Sequence, residues 1–292
     1  MTPLARQAIY IHAQVTTQRI LLMPEGPEIF LASRAVHAAV ADQPIRLELL
    51  HPTLKPKTRE LGGASIARVH ARSKAVLTEF SNGMVLYSHN QLYGEWVVHK
   101  AGEALMKRQV RLVIHTAQHQ VVLYSATDFA WLQSGQENAH PYLAKLGPEV
   151  LDAAVSASQI AKRLAQFPRR VMADALLDQH VLAGLGNYLR ADILFVARVD
   201  PLRKIGSLTA AELLRVGKAC KLLTKRSVQR AGVTRPWAQY LATRSGLDYE
   251  AARFYAFDRE GAPCWECAVS IARVTQGGRG LFFCPRCQNV SV

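Results

Sequence analysis

The spacing of hydrophobic residues changes twice along the chain. From Glu25 to Val40 the apolar residues Ile29, Leu31, Val36 and Val40 recur at helical spacing. Pro27 stands where the first turn of a helix tolerates proline, so a helix is predicted here. From about Pro44 to Leu123 the texture becomes short β-prone runs, "ASIARVHARS", "KAVLTEF", "MVLYSHN", "WVVHK", "VRLVIHT" and "QVVLYSA", separated by Gly, Asn and charged clusters. Many short strands at close spacing predict a sandwich or barrel rather than alternating β and α units. Helical spacing returns from Ser156 to about Gly232, in "SQIAKRLAQF", "RVMADALLDQHVLAGL", "NYLRADILFVA" and "TAAELLRVGKACKLLTKRSVQRA". A domain boundary is therefore expected near residues 148–156. The stretch from Arg235 to Asp258 has a mixed pattern, and the tail from Arg259 onward reads as a short metal-binding hairpin.

Composition fits this division. A chain of 292 residues with 49% hydrophobic content can bury a core in each of two domains. A net charge of +14 calls for a polyanionic partner, with nucleic acid ahead of a membrane surface. Residues 1–150 hold 15 Lys and Arg against 11 Asp and Glu, while the remainder holds 21 against 11, so the C-terminal half carries most of the excess. No run approaches the length of apolar sequence that a membrane-spanning helix requires. The first 22 residues contain Arg6 and Arg19 and no acid, but no long apolar stretch followed by a cleavage site, and they are expected to stand outside the fold. Without a secretory signal, cysteines in a reducing compartment point to metal rather than disulfides. Cys220, alone in a helical stretch, reads as a small buried apolar side chain.

The metal reading is specific. In "PCWECAVSIARVTQGGRGLFFCPRCQ", Cys264, Cys267, Cys284 and Cys287 form two Cys-x2-Cys pairs sixteen residues apart, a spacing that presents four thiolates to one zinc across a β-hairpin. Four cysteines leave no open coordination position, so the zinc is structural. Arg279, between glycines in "QGGRG", is either a solvated turn residue or a phosphate contact. Upstream, "LLDQHVLAGLGNYLRADILF" reads as a helix, a tight Gly-containing turn and a second helix starting at Asn187 or Tyr188, with Asn187 placed as an N-cap. Such a hairpin is either plain core or a clamp that aims backbone N–H groups at a phosphate.

Met23-Pro24-Glu25-Gly26-Pro27-Glu28, the Gly-Leu-Gly-Asn turn and the four-cysteine hairpin occur in that order. In this the chain resembles the bacterial formamidopyrimidine-DNA glycosylase and endonuclease VIII family, from Met23 to about Gln288. "MPEGPEI", "SKAVLTEFSNGMVLYSHNQLYGEW", "LYSATD" and "LAGLGNYLR" resemble the endonuclease VIII branch. The resemblance implies an α+β multidomain fold: an N-terminal β-sandwich with flanking helices, a helix-two-turns-helix domain and a C-terminal zinc-ribbon hairpin, with DNA crossing the cleft between domains. The corresponding partition is residues 1–22 outside the fold, 23–150 catalytic, 151–250 DNA-binding and 251–292 zinc finger. It also implies base excision repair: removal of oxidised pyrimidines from damaged double-stranded DNA, then β,δ-elimination at the abasic site. The expected protein is a monomer in the bacterial cytoplasm, holding one structural zinc ion and no membrane contact.

The resemblance also carries roles onto residues. Pro24 would be the nucleophile, Glu25 the proton donor, Lys74 the lysine that assists β-elimination, and Arg279 the finger arginine that grips phosphate and assists δ-elimination. Gln91, Leu92 and Tyr93 match the loop that fills the void left by an extruded base, and Lys145 and Asn187 match phosphate contacts. By residue type alone, Leu92 and Tyr93 would read as sheet core and Lys74 as solvent-exposed. The chemistry is coherent: a proline amine attacks the sugar C1′, and a secondary amine yields an iminium that acts as an electron sink without a metal. Only a proline that begins a chain has that amine, so Met23 is expected to be the initiator, itself removed, or proteolysis to end at the same place and leave Pro24 first. Two positions depart from the pattern: Lys145 stands where arginine is expected and lacks its bidentate fork, and Asp192 stands where glutamate is expected. Two other readings stay open, an oxidised-purine glycosylase of the same family and a catalytically silent, zinc-stabilised DNA-binding protein.

Overall fold

The computed structural model describes residues 24–247 and 249–290, and the extension at residues 1–22 lies outside the described residues. The chain divides into two units between Ala144 and Lys145.

The first unit opens with helix α1 (Gly26–Val40) and continues through eight strands: β1 (Arg46–Leu49), β2 (Ile66–Arg72), β3 (Ala75–Phe80), β4 (Met84–His89), β5 (Glu95–Lys100), β6 (Val110–His115), β7 (His119–Tyr124) and β8 (Asp128–Gln133). It closes with the single turn α2 (Pro141–Ala144). The strands form two antiparallel four-stranded sheets, ordered β1-β6-β7-β5 and β2-β3-β4-β8. Alternation along each strand sends Ile66, Val76, Met84 and Leu86 from one sheet and Trp96, Leu112, Ile114 and Leu123 from the other into one core. Ile29, Val36 and Val40 of α1 complete it. The indole N–H of Trp96 donates to the buried Ser88 Oγ at 3.2 Å, which ties β5 to β4 inside this core.

Two contacts fix the course of α1. Ala41, just past its end, bridges to Ile66 at the start of β2, and the Val69 N–H donates to His37 Nδ1 at 3.3 Å. The helix thus runs antiparallel to β2, and its N-terminal end is directed toward the turn that follows β2. On the far face of β4 the pattern is polar and aromatic. Tyr87 is fully buried and stacks on His140 at 3.9 Å between ring centroids, and His89 meets the edge of Tyr142 at 5.4 Å.

The second unit is helical: α3 (Ala157–Ala165), α4 (Met172–Leu177), α5 (Asn187–Ala197), α6 (Ala210–Gln229), α7 (Trp237–Thr243) and α8 (Tyr249–Arg253), followed by the hairpin β9 (Ala272–Gln276) and β10 (Arg279–Phe283). Ser156 and Thr209 cap α3 and α6, each hydroxyl accepting from the backbone N–H three residues on at 3.2 Å; a cap of this kind contributes about 1 kcal/mol. Helix α5 is buried without a break from Tyr188 to Phe195, as expected of a helix packed on all sides. The mixed segment after Arg235 contains the short helices α7 and α8. Cys220 is fully buried, and burial pushes its thiol up to about 12. Among the described residues no helix is long and apolar enough to cross a membrane.

Candidate functional site

In the first unit, Pro24 is half-buried at the entry to α1, and Glu25 beside it is buried, with 3% of its surface exposed. The Glu25 N–H donates to the Glu28 carboxylate at 3.0 Å, so Glu28 closes the first turn of the helix, as an acid at a helix N-terminus does. Lys74 is half-buried in the two-residue turn between β2 and β3, the end of the sheet toward which the start of α1 is directed. Its neighbour Ser73 holds a left-handed backbone at φ 58° and accepts a hydrogen bond from the Tyr142 hydroxyl at 3.1 Å.

Gln91, Leu92 and Tyr93 form the tip of the loop between β4 and β5, at the same end of the sheet, because Ala75 pairs with His89 in register. Leu92 is 59% exposed and Tyr93 70% exposed, so the core reading that residue type alone favours does not hold for either. The loop is short and held at several points. The Gly94 N–H donates to the Asn90 carbonyl at 2.6 Å, and a β-carbon at residue 94 would meet that oxygen at 2.5 Å, so only glycine closes the turn. The Arg108 guanidinium donates to the Tyr93 carbonyl and pairs with Glu95. Gln91, in a left-handed conformation at φ 53°, donates its N–H to His89 Nδ1 at 3.0 Å and its side-chain amide to Asp128 Oδ2 at 3.2 Å. The same oxygen accepts from the Tyr87 hydroxyl at 3.3 Å. Burial holds the Tyr87 phenol far above its ordinary range, so the hydroxyl remains a donor. Sequence reasoning assigned no role to His89 or Asp128. They lie 39 positions apart and meet only through the β4–β8 register.

In the second unit, the turn between α4 and α5 is braced by Gln179. Its amide donates to the carbonyls of Leu177 and Leu185 at 2.8 and 2.9 Å and accepts from the Gly184 N–H at 2.9 Å. Lys145 is exposed, two residues before Gly147, whose N–H donates to the Gln179 carbonyl at 2.9 Å. Asn187 is not the N-cap. Gly186 takes that position in extended conformation, and Asn187 begins α5 with its side chain directed elsewhere. Its amide donates to the Gly280 carbonyl at 3.1 Å, and the buried Arg190 guanidinium donates to both Asn187 Oδ1 and Gly280 O. The helix-two-turns-helix turn and the zinc hairpin are thereby joined one residue from Arg279. Arg279 itself is exposed, at the start of β10 after the turn Gly277-Gly278, whose φ angles of 59° and 74° suit a tight two-residue hairpin loop.

The four cysteine sulfurs lie within 4.8 Å of one another, with Cys267 and Cys284 3.4 Å apart and Cys264 and Cys287 3.9 Å apart. Thiolates about 2.3 Å from a tetrahedral zinc stand about 3.8 Å from each other, so the set fits one structural zinc. The metal's part is to hold the fold of the hairpin. Asp192 has its role here as well. Its fully buried carboxylate accepts from the Thr234 hydroxyl and from the N–H groups of Tyr255, Ala256 and Phe257 at 2.9, 2.8 and 3.2 Å. Burial raises this carboxyl above its ordinary range against the opposing pull of those donors. It anchors α5 to the segment that leads into the finger. Farther along, the Trp265 indole lies between two guanidinium groups, Arg235 at 3.8 Å and Arg259 at 3.9 Å.

Three family models cover most of the chain. Residues 23–129 match the formamidopyrimidine-DNA glycosylase N-terminal domain, 146–236 the formamidopyrimidine-DNA glycosylase H2TH domain, and 261–290 a zinc finger found in FPG and IleRS. Curated relatives named Endonuclease 8 from Pectobacterium atrosepticum and Escherichia coli K12 are each 38% identical, over 271 and 276 residues, covering 91% of this chain and 100% of their own. Among solved structures, a Lactococcus lactis protein bound to DNA containing an abasic site superposes with a TM-score of 0.76 at 20% identity, over 90% of this chain and 99% of that one. A Lactococcus lactis complex with DNA containing an oxidised pyrimidine gives the same TM-score at 20% identity, over 91% and 99%.

Proposed function

Because this chain belongs to the formamidopyrimidine-DNA glycosylase family, we propose that it is a base-excision-repair glycosylase and abasic-site lyase that removes oxidised pyrimidines from duplex DNA, with Pro24 as nucleophile. One observation carries the assignment of the site. The entry to α1 with Pro24 and Glu25, the Lys74 turn and the exposed Gln91-Leu92-Tyr93 loop belong to one end of the β2-β3-β4-β8 sheet. A nucleophile, a proton carrier, a cation and an apolar wedge are the parts such a reaction needs.

A base inside a duplex is out of reach, so it must be extruded, and Leu92 and Tyr93 fill the gap it leaves while Gln91 faces the orphaned partner. The Pro24 nitrogen forms a bond to C1′ as the glycosidic bond breaks, and the base departs with the bonding electrons and a proton. Glu25, adjacent and buried, delivers the proton that opens the sugar ring, leaving an iminium. Loss of a C2′ proton, assisted by Lys74, expels the 3′ phosphate; a second elimination expels the 5′ phosphate, which Arg279 stabilises. Lys145, Asn187 and Arg279 hold backbone phosphates. The protein acts as a monomer in a reducing, cytoplasmic setting where its four thiolates retain zinc. All of this requires Pro24 to carry a free secondary amine.

The test is reductive trapping. Protein with a verified Pro24 start, mixed with duplex containing thymine glycol and with borohydride, gives a covalent protein–DNA adduct in higher yield than duplex containing 8-oxoguanine. Pro24→Gly abolishes or sharply weakens it. Absence of any adduct with Pro24 first in the chain sinks the enzyme assignment, and a preference for 8-oxoguanine moves the substrate to oxidised purines.

A further inference from the structure

We infer that Asp128 is a positioning residue for base extrusion, holding Gln91 so that the β4–β5 loop is set before DNA arrives; the inference rests on the glycosylase reading above. Asp128 begins β8 and lies directly across from His89, the last residue of β4, so both groups that hold Gln91 come from adjacent rigid strands. Gln91 is gripped twice, at its backbone N–H by His89 and at its side-chain amide by Asp128. The carboxylate is itself oriented by Tyr87, a fully buried ring locked against His140, whose hydroxyl donates to the same oxygen. The chain of restraint thus runs from packed aromatic core, through one carboxylate, to an exposed loop.

This arrangement explains how a loop with a left-handed Gln91 and two exposed apolar side chains keeps one shape. A non-glycine residue at φ 53° persists only where its surroundings dictate it. A loop ordered in advance loses less conformational entropy on inserting between bases. Asp128 touches neither the sugar nor the reacting atoms in this scheme. Its effect is confined to the step in which a paired base must be displaced, and an abasic site in single-stranded DNA bypasses that step.

The experiment compares two substrates for wild type, Asp128→Ala, Asp128→Asn, Gln91→Ala and the Asp128→Ala/Gln91→Ala double variant. One is duplex with a single thymine glycol, read as kcat and KM for base release; the other is single-stranded DNA with a preformed abasic site, read as borohydride trapping. Loss of a hydrogen bond to a charged acceptor predicts a fall of about tenfold to a hundredfold in duplex excision for Asp128→Ala, mainly in kcat. Single-strand trapping retains most of its yield. Asp128→Asn keeps an acceptor for both donors and recovers much of the loss, and the double variant is no worse than the more impaired single one. The inference is overturned if Asp128→Ala excises like wild type, if both substrates suffer equally, or if the two losses simply add. Wild-type protein that traps neither substrate overturns the glycosylase reading, and this inference with it.

Discussion

The loop at residues 90–94 and the hairpin turn at residues 276–280 both expose the side chains proposed to meet DNA, yet they are held by different kinds of force. The loop depends on side chains, with Gln91 on Asp128 and His89, the Tyr93 carbonyl on Arg108, and one close approach at Gly94. The turn depends on backbone geometry and metal. It has two glycines of positive φ, a β-ladder, the Asn187 and Arg190 bonds to Gly280, a 2.7 Å bond from Gln276 to Asp174, and four thiolates beneath. A segment set by ionisable side chains responds to substitution and protonation of those groups, while one set by a metal responds to the metal's removal. Each can therefore be disturbed without the other.

The largest effect comes from zinc. Structural zinc contributes about 10–16 kcal/mol to small finger folds, far more than residues 259–290 could supply from their own core. Chelation or Cys284→Ser therefore unfolds the finger and abolishes specific DNA binding. Zinc stoichiometry and hydrogen exchange check this, with protection lost across β9 and β10 and retained in β4 and β5. Next is Asp192→Ala, which strands three buried N–H groups, while the Thr234 hydroxyl keeps the Arg253 carbonyl as an acceptor at 3.0 Å. At about 1–3 kcal/mol for each unsatisfied group, a loss of several kcal/mol is expected in denaturant unfolding, with Asp192→Asn losing less.

Smaller still is Arg279→Ala. Removing one phosphate contact lowers the slope of log affinity against log salt by about 0.9 and weakens binding evenly across sequences, whereas Arg279→Lys keeps the slope. A finger arginine that makes no phosphate contact would leave the slope untouched. The mildest expected effect is on the loop and is set by pH. Burial lowers the His89 pKa from 6.5, Asp128 pulls it up and Lys74 pushes it down, and the Tyr142 ring packs against it edge-on. The fold thus favours the neutral ring, whose Nδ1 accepts from Gln91. The folded protein therefore keeps this acceptor at pH 6.5 and loses it as pH falls through the lowered value. Duplex excision should decline over this window a few-fold more than single-strand trapping, and His89→Gln should flatten the difference.

How far the sequence foretells these features follows from how local each is. The α1 helix, six of the strands and the four-cysteine hairpin are written in spacing over a few residues and form where that spacing puts them, whereas β1 and β8 fall outside the β-prone runs. Asn187 lies one position inside the helix instead of capping it, because Gly186, with no side chain to cap, nevertheless adopts the extended cap conformation. Leu92 and Tyr93 show the limit of residue type, since apolar side chains in a β region are usually core and here an exposed loop carries them. Asp128 and Asp192 show the limit of sequence itself. Asp128 ends the run "LYSATD" and Asp192 stands where glutamate is expected, but neither local pattern gives a role, because the partners lie 37 to 65 positions away. Sheet register reveals the first, and the path of the chain from α8 into the finger reveals the second.

The central claim is that Pro24 forms the bond to DNA. Protein beginning at Pro24 is trapped with borohydride on duplex containing an oxidised pyrimidine, digested, and the modified residue located by tandem mass spectrometry. The account predicts the sugar remnant on the Pro24 nitrogen. A remnant on Lys74 or on any other lysine, or no remnant at all, would contradict it.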